Sequence, residues 1–171
     1  MKKAAVIVAV IIIASLPAFS ETAPQKIDSK GIWIWGSTLY DVGISRFVSE
    51  MEKHNFSDVY LLIKDASGYY TFDLLEALLN SSAKLRIHAW IICFYDESLG
   101  GWIDPNSSEY REYLINDIII PAVEKGADGI CLDYIRYPGN AHGDTYPITS
   151  FCREVKKIVK GINPHCVCRR R

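Results

Sequence analysis

Short apolar runs alternate along the chain with segments of helical periodicity. The apolar runs begin at Gly31, Asp58, Arg86 and Asp128. Each is followed by a segment whose apolar residues recur with helical spacing, at residues 44–54, 72–81, 108–126 and 150–161. The pattern therefore predicts four strand–helix units. Because the runs are almost continuously apolar, we expect strands that are buried on both faces, as in a parallel sheet covered by helices.

Prolines and a glycine predict where the helical segments bend or end. Pro121 lies inside the long third segment, and a proline removes one backbone hydrogen bond of a helix, so a kink is predicted there. Gly161, followed by Pro164, predicts the end of the fourth helix.

The length of the units indicates a fold class. A (β/α)₈ barrel has ~31 residues per unit and ~250 in all, whereas this chain has 171 residues. A doubly wound sheet has the same rhythm, but the glycine-rich turn that usually follows its first strand is missing after residues 31–36. The sequence predicts an α/β fold of the TIM-barrel type with only the first four β/α units, a half barrel, at residues 31–162, and a tail at 163–171. A smaller open α/β domain is the alternative.

The first 20 residues have the pattern of an export signal. A basic start precedes an apolar run at residues 4–16, and Ala18 and Ser20 are small residues at the spacing of a cleavage site. The run is shorter than the ~20 residues that cross a membrane. We predict cleavage after Ser20, a linker at 21–30, and a secreted, periplasmic or cell-surface protein without a membrane segment. An uncleaved membrane anchor is the alternative.

Composition and charge fit a folded globular protein that does not bind nucleic acid. Hydrophobic residues make up 49% of the chain and the formal net charge is −1. The arginines of residues 169–171 form the one basic cluster, at the end of the chain. Cys93 and Cys131 lie in apolar runs, where cysteine packs as a small hydrophobic residue. Because the cysteines and histidines lack zinc-site spacing, we expect no metal, no cofactor and no disulfide framework.

Carboxylates and aromatic residues concentrate where the predicted strands end. In α/β folds the residues that do chemistry lie at the carboxyl ends of strands and in the following loops. Aromatic faces stack on sugar rings, and carboxylates bind hydroxyls or act as acid, base or nucleophile, so a polysaccharide or oligosaccharide ligand is predicted. The candidate site residues are Trp35, Asp65, His88, Trp90, Asp96, Asp133, Tyr134 and Arg136.

Several of these positions also have a structural interpretation. His88 is as compatible with a buried, hydrogen-bonded position as with binding. Asp65 and Asp96 suit loop turns or helix caps, and Asp128, which opens a strand, suits a contact with loop backbone. Asp133 ends an apolar strand, where burial of an uncompensated carboxylate is costly, and is therefore the strongest catalytic candidate.

Three stretches carry a family resemblance. They are GIWIW at 31–35, HAW at 88–90, and GWIDPNSSEYREYLINDIIIPAVEKGADGICLDYIRYP at 101–138. Together, over roughly residues 31–162, they resemble the secreted glycoside-hydrolase-like TIM barrels of bacteria and archaea. The resemblance implies a (β/α)₈ fold and action on polysaccharide. It also implies a set of residues near the site, namely His88, Trp90, Asp133, Tyr134 and Arg136.

The stretch DGICLDYIRYP is also similar in part to the strand-4 signature of chitinases, D-G-x-D-x-D-x-E. Asp128 and Asp133 match that signature. Cys131 replaces its middle aspartate, and Ile135 stands where the catalytic glutamate would be. Chitinase chemistry that uses this glutamate is therefore not expected.

The sequence predicts an exported glycoside-hydrolase-like protein that acts on or binds polysaccharide. Asp133 would be one of two carboxylates flanking a glycosidic bond. The candidates present for the second are Asp65 and Asp96, but the favoured source is the missing second half of the barrel. Arg136 would pair with Asp133 and keep it ionised. The alternative is a non-catalytic carbohydrate-binding or structural α/β domain, or an inactive truncated fragment of such an enzyme. Open edges at the first and fourth strands would favour self-association.

We predict that the exported protein begins at Glu21. When the full chain is expressed in a Gram-negative host, N-terminal sequencing of periplasmic or secreted material should give Glu21 as the first residue. Changing Lys2 and Lys3 together to Glu removes the basic start and should keep the chain inside the cell. Exported material that still carries Met1 would contradict cleavage.

Overall fold

Seven strands make up the sheets of the computed structural model, which describes residues 30–81, 84–138 and 144–170. The predicted signal and nearly all of the predicted linker lie outside these residues. Strands β1, β2, β3, β6 and β7 form one parallel sheet in that order, and β4 and β5 form an antiparallel hairpin. The strands are β1 (Gly31–Trp35), β2 (Asp58–Lys64), β3 (Arg86–Ile92), β4 (Tyr95–Asp96), β5 (Gly101–Trp102), β6 (Gly129–Asp133) and β7 (Val167–Arg170).

Helices connect the parallel strands. A 3₁₀ turn at Glu97–Leu99 lies inside the β4–β5 hairpin. The α-helices are α1 (Gly36–Val42), α2 (Ile44–Lys53), α3 (Phe72–Leu79), α4 (Ser108–Tyr113), α5 (Ile120–Glu124) and α6 (Tyr146–Ile162).

A π-helical segment, Leu114–Ile119, joins α4 to α5. Pro121 is the second residue of α5, so one residue separates it from the end of this segment. Proline has no backbone N–H and its ring crowds the carbonyl four residues earlier, so the regular hydrogen-bond ladder cannot pass through this point. A π-helical turn, which is wider than an α-helical turn, accommodates this break in the hydrogen-bond ladder. The irregularity expected at Pro121 therefore takes the form of a π segment just before it.

Aliphatic side chains pack between one face of the sheet and the helices. Val59, Leu61 and Ile63 of β2 alternate with residues of the opposite face and join a buried cluster that includes Phe151 and Val155 of α6. The same alternation places Ile87, Ala89 and Ile91 of β3 in this cluster. This layer is the main core of the domain.

We call the opposite face of the sheet the helix-free face. Its buried side chains pack against one another. Its buried cluster comprises sheet residues with three partly buried neighbours, and contains no residue of the described helices. Trp33, Tyr60 and His88 lie side by side on β1, β2 and β3. The Tyr60 ring stacks on Trp33 at 4.3 Å and on His88 at 4.6 Å. Arg169 of β7 donates from Nη1 to the Tyr60 hydroxyl at 2.6 Å.

The predicted half barrel is wrong, because the fold is an open α/β domain. Strand β7 forms within residues 163–171, the predicted tail, and pairs with β6, so the sheet has five parallel strands instead of four. Within the described residues, β1 and β7 each have one partner and the sheet does not close. Trp33 keeps 38% of its surface exposed on a face that would be the filled interior of a barrel.

Four predicted strands and four predicted helical segments appear near their expected places. The helix predicted at 44–54 is α2, and Phe47, Val48 and Met51 form its buried face as the spacing predicts. The segment predicted at 150–161 begins earlier, at Tyr146. The burial of β2 on both faces is also as predicted, although side chains of the sheet cover the second face in place of helices.

We predict that Gly129→Ala destabilises the domain strongly. A Cβ at this position would lie 2.3 Å from Nδ1 of His88 and 2.9 Å from the carbonyl oxygen of Val167. Because both neighbours are held in the sheet, relief of the clash must move β6 away from β3 or β7, at a cost of about 3 kcal/mol or more in unfolding free energy. Urea denaturation followed by circular dichroism measures the change.

Gly161→Ala is the matched control. Gly161 lies in α6, and a Cβ there meets no atom within 4 Å. Alanine in a helix is favoured over glycine, so this variant should match the parent or gain about 0.5 kcal/mol. Equal stability of the Gly129→Ala variant and the parent would show that β6 can shift without cost.

Candidate functional site

Three aromatic rings and a guanidinium meet at the carboxyl end of the sheet. We call Tyr95, Trp102, Tyr134 and Arg136 the aromatic platform. The rings of Trp102 and Tyr134 stack with centroids 5.7 Å apart at 29°, and Tyr95 lies 5.3 Å from Trp102. The guanidinium carbon of Arg136 lies 4.8 Å from the centre of the Trp102 ring and 5.5 Å from that of Tyr134. The platform is thus a set of stacked planar groups next to the end of β6.

The β4–β5 hairpin supplies half of the platform. Tyr95 pairs with Trp102 across it, which places both side chains on one side of the ribbon. Gly100 and Gly101 have φ values of 92° and 112°, a conformation that glycine adopts without strain, and this closes the turn after the 3₁₀ segment.

Asp133, the predicted catalytic residue, is half-buried beside the platform. Its Oδ2 accepts a hydrogen bond from Nε1 of Trp90 at 3.0 Å. Its Oδ1 accepts from the backbone N–H of Tyr134 at 2.8 Å. Both oxygens thus have a donor, and the carboxylate is fixed in orientation.

Tyr134 has a left-handed backbone, with φ of 54°. This conformation is uncommon for a residue with a side chain, and such residues concentrate at functional sites. The carbonyls of Asp133 and Tyr134 still accept from the N–H groups of Cys93 and Phe94. These backbone hydrogen bonds to the chain after β3 stabilise the left-handed conformation of Tyr134. The bend turns the Tyr134 ring towards Trp102.

The contacts of Arg136 are aromatic. The sequence predicts that its guanidinium pairs with Asp133, whereas in the structure it lies over the rings of Trp102 and Tyr134. Guanidinium groups stack favourably on aromatic faces, by about 0.5–1 kcal/mol at exposed sites. The side chain therefore belongs to the platform.

Trp35 and Asp65 lie together in a separate small cleft of about 190 Å³ at the ends of β1 and β2. Trp35 is 59% exposed. Oδ1 of Asp65 accepts from the backbone N–H groups of Ser67 and Tyr69 and from the Ser67 hydroxyl. The carboxylate therefore holds the loop after β2, which is the structural interpretation of this position.

Asp96 is buried in an ion pair. It is 2% exposed, and its Oδ2 lies 3.2 Å from Nζ of Lys64 and accepts from the Tyr110 hydroxyl at 3.1 Å. Its Oδ1 accepts from Ser98. Burial favours the neutral form of Asp96, but the hydrogen bonds from Ser98 and the charge of Lys64 outweigh it and lower the pKa. Asp96 thus ties the hairpin to β2.

His88 lies at the amino end of β3 and contacts a different carboxylate. Its Nε2 donates to Oδ1 of Asp58 at 2.8 Å, and Arg86 donates to both oxygens of Asp58 from Nε and Nη2. Burial favours the neutral form of Asp58, but the bonds from Arg86, Ser57 and His88 outweigh it and lower the pKa. His88 shares a face of β3 with Trp90, but the two contact different aspartates.

Asp128, at the loop before β6, binds the backbone of strand β3 and not the loop backbone that the sequence predicts. Its Oδ2 accepts from the N–H of Ile87 at 2.7 Å, and its own N–H and carbonyl pair with Ile87 and Val167. One residue thereby aligns the starts of β3, β6 and β7.

The structure separates the predicted site residues into four places. Trp90 and Asp133 contact each other and adjoin Tyr134 and Arg136 at the platform. Trp35 and Asp65 share the small cleft, whereas Asp96 and His88 are buried in separate networks. Tyr95 and Trp102 are not among the predicted site residues, because two-residue strands leave no periodic pattern, although the glycine pair Gly100 and Gly101 between them marks the turn.

Neither a metal cluster nor a membrane helix is found in the part of the chain that the structure describes. No group of three or more His, Cys, Asp or Glu residues there is placed to hold a metal ion. No helix there combines the length and the apolar character needed to cross a membrane.

Comparison with known proteins shows the fold alone. No family model matches the chain, and no curated protein matches it. A hypothetical protein from Ruminiclostridium thermocellum ATCC 27405 has a similar structure, with a TM-score of 0.67 and 20% sequence identity, over 82% of this chain and 96% of that one. The α/β architecture therefore recurs in another chain, across nearly its whole length.

We predict that His88 makes the stability of the domain depend on pH. Burial lowers its pKa from the ordinary value of 6.5, and its bond to Asp58 opposes this only in part. The unfolded chain therefore binds the proton more readily. The contribution of His88 is complete above about pH 6.5 and is lost as the pH falls through the lower, folded pKa. The unfolding free energy should fall by up to ~1.4 kcal/mol per pH unit in that window.

Urea titrations between pH 7.5 and 5 provide the measurement. His88→Gln keeps a neutral donor towards Asp58 and should flatten the slope in this range. His165→Gln, at an exposed position, is the control and should keep the parental slope. Identical slopes for the parent and the His88→Gln variant would place the titration elsewhere.

Proposed function

We propose that the chain binds carbohydrate at the aromatic platform. The stacked pair of Trp102 and Tyr134 under Arg136, directly beside the oriented carboxylate of Asp133, carries this proposal. Aromatic faces provide apolar contact with the CH faces of a sugar ring. Arg136 supplies donors and Asp133 supplies acceptors, the complementary pair that vicinal hydroxyl groups require.

The state of the other carboxylates favours binding over hydrolysis. A glycosidase of the usual type needs two carboxyl groups, ~5–5.5 Å or ~6.5–9.5 Å apart. Of the predicted candidates for the second group, Asp96 is buried against Lys64 and Asp65 holds its own loop. Each therefore already has a role in the local fold.

Hydrolysis by Asp133 is the second candidate function. The observation in its favour is the bond from Trp90, which holds a half-buried carboxylate at the carboxyl end of β6 in one orientation. A carboxylate held in one orientation by two donors suits a nucleophile or a stabiliser of positive charge on the sugar ring.

An exported location is consistent with this proposal, because polysaccharides are accessible outside the cell. The basic and apolar pattern of the first 20 residues supports export. Self-association through open sheet edges stays a prediction, and β7 replaces the fourth predicted strand as the second edge.

We predict that Trp102→Ala abolishes most carbohydrate binding. Affinity electrophoresis of the full chain in gels containing soluble β-glucan, xylan, glycol-chitin or mannan should identify a polysaccharide that retards the protein. On that polysaccharide, Trp102→Ala should weaken binding about tenfold, or ~1.4 kcal/mol, because one face of the stack is lost. Tyr146→Ala removes an aromatic side chain that is 71% exposed at the start of α6, and should bind like the parent.

The same material separates binding from hydrolysis. Release of reducing ends from the bound polysaccharide would indicate an enzyme, and Asp133→Asn should then cut turnover by orders of magnitude while circular dichroism stays unchanged. Retardation without release of reducing ends supports the binding function. Equal retardation of the Trp102→Ala and Tyr146→Ala variants would place binding outside the platform.

A further inference from the structure

A second cavity lies on the other side of the β4–β5 hairpin from the aromatic platform. Its volume is about 620 Å³, within the range of small-molecule sites. Asp96 and Ser98 contribute to its wall, whereas Tyr95 and Trp102 of the same hairpin belong to the platform. The cavity is therefore a separate site with its own chemistry.

Tyrosine rings form much of the cavity wall. Tyr110 and Tyr113, on consecutive turns of α4, have ring centroids 5.3 Å apart and planes inclined by 43°. Tyr70, from the loop after β2, reaches across so that its hydroxyl contacts that of Tyr113. The three rings thus enclose a corner of the cavity from two different elements.

The polar ends of these side chains already have partners. The hydroxyls of Tyr70 and Tyr113 bond to each other, and that of Tyr110 donates to Asp96. The Ser98 hydroxyl also donates to Asp96. The cavity therefore offers mainly ring faces and has few free groups for a ligand that depends on hydrogen bonds, such as a sugar.

The charge of the cavity is negative. Its carboxylates are Asp96 and Glu109, and none of the described residues that line it is Lys, Arg or His. The positive charge of Lys64 compensates the negative charge of Asp96. The charge of Glu109 is then the excess negative charge at the opening of the cavity. Burial raises the pKa of Tyr70, and the charges of Asp96 and Asp117 raise it further.

We propose that this cavity binds a small organic cation of the quaternary ammonium class. Such a cation forms no hydrogen bonds, gains energy from the faces of several aromatic rings, and is attracted by an uncompensated carboxylate. Tyr70 and Tyr113 supply the accessible faces, Tyr110 is buried beside Tyr113, and Glu109 supplies the charge. An anion is disfavoured by the same charges.

Titration calorimetry of the full chain with choline and with 3,3-dimethylbutan-1-ol, its uncharged isostere, tests the proposal. We expect choline to bind at least tenfold more tightly than the alcohol, since the two differ in charge and hardly in shape. Tyr113→Phe keeps the ring and should change the affinity less than twofold, whereas Tyr113→Leu should weaken it fivefold or more. Equal affinities for the two ligands, or no binding of choline, would overturn the proposal.

A comparison of Glu109→Gln with Glu112→Gln distinguishes binding of choline at the cavity from its attraction by the net charge of the protein. Both remove one negative charge from exposed positions of α4, but only Glu109 lines the cavity. Glu109→Gln should weaken choline binding several-fold more than Glu112→Gln does. Equal effects would show that choline responds to net charge and has no site at this cavity.

Tyr70→Leu, in an exposed loop position, provides a second ring deletion if Tyr113→Leu fails to fold.

Discussion

The ring of His88 occupies the space in which a side chain at position 129 would begin, and the order of the helix-free face depends on this close packing. With no Cβ at Gly129, the imidazole lies flat between β3 and β6 and stacks on Tyr60, which stacks on Trp33. Asp58 holds the imidazole from the other side through Nε2. A single missing carbon atom thus allows three strands to stack their rings side by side on a face that no described helix covers.

The two ends of the sheet use their charged residues differently. At the amino end, Asp58 and Asp128 are satisfied by neighbouring side chains and backbone, and they align the strands. At the carboxyl end, Asp133 and Arg136 lie next to solvent, and each is oriented by an aromatic partner. Groups of the first kind stabilise the fold, whereas Asp133 and Arg136 stay within reach of solvent.

The strands and helices of the main core follow from periodicity, whereas β7 and the hairpin do not. Val167–Arg170 contains two arginines and is mostly exposed, so its sequence lacks the apolar run that marks a buried strand; it is held by backbone pairing to β6. Tyr95–Asp96 and Gly101–Trp102 are two residues each, too short for any pattern. The missed fifth strand is also why a half barrel was the wrong interpretation.

The face on which a strand residue lies could be predicted, but its partner could not. Alternation correctly places His88 and Trp90 on one face, yet they contact aspartates from different strands. Asp96 was expected near a ligand because it follows a strand. Its burial depends on Lys64, a lysine that ends the apolar run of β2, and that ion pair becomes visible only when the hairpin folds back.

Pairing of the strands in chain order affects how the domain assembles during synthesis. Each strand of the parallel sheet pairs with the parallel strand that follows it in the sequence, so the sheet can grow one strand at a time as the chain is synthesised. The bond between Arg169 and Tyr60 joins residues 109 positions apart, and at translation rates of about 5–20 residues per second it must wait roughly 5–20 s after Tyr60 is made. During that interval the face that carries Trp33 and Tyr60 lacks the contact with Arg169 that completes it.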